Sequence, residues 1–352
     1  MGRQNKLMRD LLGILKDKAS LIKATLSIKP ITVAVLRATT HSPSSPPPDH
    51  RIAALLSLGN DTRPTACATV AAVMDRLHST PDTFVALKCL ITLHHIISQG
   101  SFILKDQLSF YPSSGGRNFL NLSVFRDGRD VETWELSNWV RWYAGVLERN
   151  LITSRVLGVY ISDPSSTKVT VTTTLLNSDL IRDVDVLVGL VEEICRAPDS
   201  LHFQQYDLVY EVVNLVGEDY RSTQQQIVIR LGECGERIGG LSSGELVELT
   251  RCLKRLEECR ERLVVVFVNR KRNDAFWDLV GETKVKADRV VEEERERERW
   301  LVRLGGPRRE EGSESTRGGE RVLRPSQLLM LPYGGEWLGL DRVQRTVPSA
   351  MA

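Results

Sequence analysis

The chain has 352 residues, 41% of them hydrophobic and 26% charged, which allows about two domains or one large domain with a tail. Its 47 Lys and Arg are balanced by 45 Asp and Glu, a formal net charge of +2, so a general polycation is excluded and any anionic partner must meet a local patch. The longest apolar run, Leu263 to Val268, has six residues, whereas a membrane-spanning helix needs about 20.

The first 29 residues hold Arg3, Lys6, Arg9, Lys16, Lys18, Lys23 and Lys29 against Asp10 and Asp17. Leu7, Leu11, Leu15 and Leu21 lie along one side, which predicts a basic amphipathic helix. Two readings are open for it. It packs on the next helix with its basic face solvated, or it turns a face to anionic lipid. Leu11 and Leu12 are expected to face the core. No secretory signal is expected, and Lys6 stands where the N-myristoylation pattern of Gly2 requires Ser or Thr.

Helices dominate the rest. Pro81 and Asp82 suit the start of a helix over 84–97, with the proline in its first turn, and Gly100 ends it. Ser113 to Gly116 reads as a loop. Leu136, Val140, Tyr143, Leu147 and Leu151 fall on one helical face. Leu180, Val184, Leu187, Val191 and Ile194 do the same, as do Leu246, Leu249, Leu253, Leu256, Cys259 and Leu263. Lys168 to Thr174 is the best strand-like alternation and is expected to be an extended loop. No proline occurs between Pro198 and Pro307, consistent with long helices. Glu292 to Trp300 mixes both signs and suits a solvated helix end. The helical domain is expected over 1–302 and a flexible tail over 303–352, with disorder over 303–325. Apolar residues return at Leu328 to Tyr333 and at Trp337 to Asp341, either as peptide ligands or as segments folding back.

Motifs of catalysis are sparse. There is no GxxxxGK[ST], GxGxxG or HExxH. The GxSxG match Gly240 to Gly244 follows a helix, and no histidine follows Ser242, so it reads as a turn in which Ser242 or Ser243 caps a helix. His94 and His95 point about 100° apart on a helix and cannot present one metal face. Both are expected to be packing residues with satisfied ring nitrogens. The six cysteines form no CxxC, which suits reduced thiols in a cytoplasmic protein without zinc or a disulfide framework. No enzyme, cofactor or metal is expected.

Arg37 to His41 (RATTH), the run ALKCLITLHHII before Gly100, and Asn121 to Asp127 (NLSVFRD) resemble, in that order, the ANTH domain of clathrin assembly proteins. Trp134 to Glu148 and Leu175 to Arg196 resemble its plant branch. The resemblance spans about residues 5–300. It implies an all-α fold, a right-handed solenoid of stacked helices like ENTH and ANTH domains. It also implies a cytoplasmic, peripheral membrane-trafficking adaptor of endocytosis and Golgi vesicle budding, at clathrin-coated pits and vesicles.

The implied partners are phosphatidylinositol 4,5-bisphosphate or a related phosphoinositide, clathrin heavy chain, and a vesicle SNARE. The family's lipid pattern has cations at three spaced positions, followed directly by His or Tyr. This chain places Arg37, Pro47, Asp49 and His50 there, with Arg51 beside them. Arg37, His50 and Arg51 are therefore the candidate phosphoinositide ligands, and weakened binding is expected, about 1 kcal/mol per missing cation. Trp337, Leu338, Leu340 and Asp341 resemble a clathrin-binding peptide, which would bind extended. Two rivals are a helical protein-interaction scaffold in solution and a nucleic-acid binder. The second needs a basic stripe interleaved with aromatics, whereas Trp134, Trp139, Trp142 and Tyr143 lie in a helix with few cations, so no nucleic acid is expected.

Overall fold

The computed structural model describes residues 2–27, 29–42, 44–109, 120–163, 174–267 and 273–304, with backbone only at 2–7, 9, 10, 302 and 304. The Ser113 to Gly116 loop, nearly all of Lys168 to Thr174, and the tail from 305 lie outside these residues.

Among the described residues there are twelve α-helices and no strand: α1 Gly2–Leu26, α2 Pro30–Ala38, α3 Asp49–Gly59, α4 Arg63–Ser79, α5 Thr83–Gln99, α6 Phe102–Ser109, α7 Val131–Leu157, α8 Asn177–Cys195, α9 Asp207–Arg237, α10 Ser243–Glu258, α11 Arg260–Val266 and α12 Asp274–Leu304. Met1–Arg303 forms one compact unit. Successive helices stack: α1 on α2, α2 on α3, α3 on α4, α4 on α5, α7 on α8, and α8 on α9 and α10. This is the all-α solenoid.

Side-chain caps set several of the boundaries. Thr62 and Thr65, Asp130 and Thr133, and Ser242 and Glu245 form reciprocal capping boxes that satisfy amides at the starts of α4, α7 and α10. The Gly240 to Gly244 match is thus a capped helix start. Asp82 caps α5 by accepting from the Val85 amide, so Pro81 precedes the cap and does not sit in the first turn. Gly158, with φ of 70°, ends α7 in the left-handed region.

Helix α5 is buried almost all round, from Thr83 through Ile97 with only Phe84 and His95 partly accessible. A helix apolar on every side belongs at the centre of a stack, and α5 packs on α3, α4, α6, α7 and α9. The apolar faces predicted on α7, α8 and α10 are buried. The segment Asn121 to Asp127 is fastened to α5 by Asp127, whose carboxylate accepts from the Thr83 amide at 3.0 Å and hydroxyl at 3.1 Å. The two histidines differ. His94 is buried, with Nδ1 2.9 Å from the Tyr143 hydroxyl and Nε2 3.4 Å from Asp219. Among the described residues His95 has a buried Nδ1 without a partner, which corrects the expectation that both rings are satisfied.

Candidate membrane-facing site

Helix α1 packs with its small and polar side inward. Among its described side chains the buried ones are Gly13, Asp17 and Ala24. Added at Gly13, a Cβ would lie 2.9 Å from the His41 Cβ, so glycine is what lets the helix approach. The Asp17 carboxylate accepts from the His41 amide at 2.7 Å and from Arg76 Nη2 at 3.1 Å, and lies 2.8 Å from His41 Nδ1. Burial alone would raise this carboxyl, but the hydrogen bonds from His41 and the Arg76 charge hold it below the usual carboxylate range.

The opposite side of α1 is an apolar stripe in solvent. Met8, Leu11, Leu12, Leu15, Ile22 and Leu26 are 56–80% exposed. At 100° per residue they share about a third of the helix circumference, and the exposed Lys16, Lys18 and Lys23 flank them. Leu11 and Leu12 therefore do not face the core. The reason is that Asp17 locks the other face inward. Leu21 is half-buried, and Leu7 lies among the residues described by backbone alone.

The lipid-ligand candidates lie on the α2–α3 hairpin. Pro30, Val33, Ala34 and Arg37 of α2, with His50, Arg51, Ala54 and Leu58 of α3, line a groove of about 520 Å³. The fold thus brings Arg37, His50 and Arg51 together. Arg37 and His50 are exposed and Arg51 is half-buried. Arg51 Nη1 donates to the Arg37 carbonyl at 2.6 Å, satisfying an end carbonyl of α2 and joining the helix ends that carry the cations. Helix α3 starts at Asp49 after Pro48, which supplies no side-chain cap. Its first-turn amides therefore add to the positive character of this end.

An acidic element borders the groove. Asp49 is exposed in the first turn of α3, whereas Pro47 is buried. Burial, then the Asp49 charge, pushes the Glu211 carboxyl on α9 above its usual range. Burial, then neighbouring His94, lowers His95 to about 4 against the pull of Asp49. Asp49 thus places a carboxylate next to His50 in sequence.

Lys88 is a residue the sequence reading missed. It is buried on α5, and its Nζ donates to the Thr40 carbonyl at 2.8 Å. Burial lowers its ammonium to about 8. Lys88 and Arg76, which also reaches the Thr39 carbonyl at 3.2 Å, fix the short segment that carries His41. A lysine inside the apolar run FVALKCLITL was the available signal. Of the other candidates, Trp337, Leu338, Leu340 and Asp341 lie outside the described residues.

The stacked helices are the fold of an ANTH domain, whose family model matches residues 30–192. An Arabidopsis thaliana protein named "Putative clathrin assembly protein" is 46% identical over 329 residues, covering 89% of this chain and 90% of its own. Two further Arabidopsis proteins of that name are 32% identical over 318 residues and 31% identical over 298. They cover 85% and 77% of this chain and 90% and 97% of their own. The chain belongs to the family of ANTH-domain clathrin assembly proteins. No described helix is long and apolar enough to cross a membrane.

Proposed function

We propose that the protein is a non-enzymatic clathrin adaptor that attaches peripherally to phosphoinositide-bearing membrane. The observation that carries this reading is the outward apolar stripe of α1 with its flanking lysines. An amphipathic helix of this kind lies in the headgroup region, adding apolar burial to attraction for anionic lipid. The groove of Arg37, His50 and Arg51 supports the choice of a phosphorylated headgroup. Two or three converging cations with first-turn amides suit a compact polyanion. Clathrin engagement is inferred from the names of the relatives and from the resemblance of Trp337 to Asp341 to a terminal-domain ligand. A SNARE partner and a place in Golgi budding rest on family resemblance alone.

The test is co-sedimentation of the full chain with vesicles of neutral lipid, neutral lipid plus phosphatidylserine, and neutral lipid plus phosphatidylinositol 4,5-bisphosphate. The reading expects pelleting to rise in that order. It also expects both anionic signals to fall in a Leu11→Ser, Leu15→Ser variant, and only the phosphoinositide signal to fall in Arg37→Glu. Equal pelleting on all three vesicles removes the headgroup site. Pelleting on none leaves a protein-interaction scaffold. Capture of the full chain by clathrin terminal domain, unchanged by Leu338→Ala with Leu340→Ala, removes that peptide as the contact.

A further inference from the structure

Cys195 is the last residue of α8, and Cys259 sits at the bend between α10 and α11. The Cys195 thiol donates to the Cys259 carbonyl at 3.6 Å, which sets the two residues side by side. Cys195 is partly accessible and Cys259 is buried. Both stand at helix ends, where the backbone can take up small changes that mid-helix positions resist. We infer that Cys195 and Cys259 are a redox modification site, a reactive thiol and its resolving partner, that hydroperoxide converts to an intrachain disulfide clipping α8 to the α10–α11 bend.

The surroundings divide the two roles. The neighbouring Cys259 thiol, then the Arg262 and Arg196 charges, draw Cys195 below the ordinary thiol range, against burial and Glu192. Cys195 is also the more accessible of the two, whereas Cys259 is buried. The accessible thiol beside cations is the nucleophile, and the buried neighbour resolves it. Cys89, Cys234 and Cys252 are buried, with thiols raised to about 12 by burial, and Cys67 is exposed.

The chemistry balances in two steps. The Cys195 thiolate attacks one peroxide oxygen, an S–O bond forms, the O–O bond breaks, and hydroxide leaves and takes up the proton released by Cys195. Cys259 sulfur then attacks Cys195 sulfur. The S–S bond forms, the S–O bond breaks, and the hydroxyl departs as water with the Cys259 proton. Two thiols are oxidised, and one hydrogen peroxide is reduced to two waters.

Helix α11 follows directly on Cys259. Its Arg260, Leu263 and Val264 form one wall of a cleft whose other residues include Tyr220 and Trp277. The disulfide therefore fixes that wall, and oxidation should slow backbone hydrogen exchange over 260–266.

The experiment treats the reduced full chain with a small excess of hydrogen peroxide, alkylates with maleimide after denaturation, and maps peptides by mass spectrometry. The expected result is loss of two of the six labelled thiols, a 195–259 crosslinked peptide, and slowed exchange in α11. Cys259→Ser should stop at sulfenic acid on Cys195, trapped by dimedone, and Cys195→Ser should leave Cys259 reduced. Six labelled thiols after treatment, a different disulfide, or Cys195 reacting no faster than Cys67 overturns the inference. These readings come from the unsubstituted chain and do not depend on how the variants fold.

Discussion

Asp17 grips His41 at two atoms, accepting from its backbone amide at 2.7 Å and lying 2.8 Å from its ring Nδ1. This contact, made between α1 and the segment joining α2 to α3, decides which face of α1 meets solvent. Asp17→Ala leaves the Arg76 and His41 donors without this buried acceptor. The expected loss is about 2–3 kcal/mol, read by urea denaturation, with earlier proteolysis inside α1. A variant as resistant as the parent shows that the leucine stripe is oriented by something else.

At the α2–α3 groove the sign of one residue can be tested. Asp49 occupies a place where the family pattern has a cation, and it is exposed beside His50. Asp49→Lys should tighten binding to phosphoinositide vesicles by about fivefold or more at low salt, since one charge near the surface is worth about 1 kcal/mol. The gain should shrink at high salt. Unaltered affinity in Asp49→Lys means that the groove does not hold the headgroup.

His95 gives a pH signature. Its folded-state value is about 4 against an ordinary 6.5, so between these values the unfolded chain binds more protons. Stability then rises with pH across that window and is lost as pH falls from about 6.5 to about 4, by up to about 3 kcal/mol. Glu211 and Glu148 are raised, chiefly by burial, and contribute the opposite slope above the ordinary carboxylate value. The diagnostic is therefore a difference: His95→Gln should flatten the acid side of the stability profile relative to the parent.

Gly100 and Gly244 make a contrasting pair. At Gly100 an added Cβ would lie 2.5 Å from the Ile96 carbonyl oxygen, which is backbone and cannot turn away. Gly100→Ala should cost about 1–3 kcal/mol and lower the melting temperature. Gly244 has nothing within 4 Å of such an atom, and Gly244→Ala should be neutral or slightly stabilising.

The buried faces of α7, α8 and α10 were legible because apolar residues recur at helical spacing, and that period holds wherever the face is buried. Ser242 was legible as a cap because a serine before a helix start satisfies an amide locally. The candidates Arg37, His50 and Arg51 came from family resemblance, and the hairpin of α2 and α3 brings them to one groove. Helix α1 was not readable in this way. Leucines every three or four residues look the same whether they face a core or a solvent, and only the Asp17 contact distinguishes the two.

Sequence alone thus determined the helical class, the buried faces of several helices and the family, because local periodicity and caps act over a few residues. Tertiary structure alone decided the outward stripe of α1, the lack of a partner for His95 Nδ1 among the described residues, the burial of Lys88 and the meeting of Cys195 with Cys259. Each of these depends on which distant residue arrives across the stack. Cys195 and Cys259 are 64 positions apart and Asp17 and His41 are 24 apart, separations that no helical period encodes.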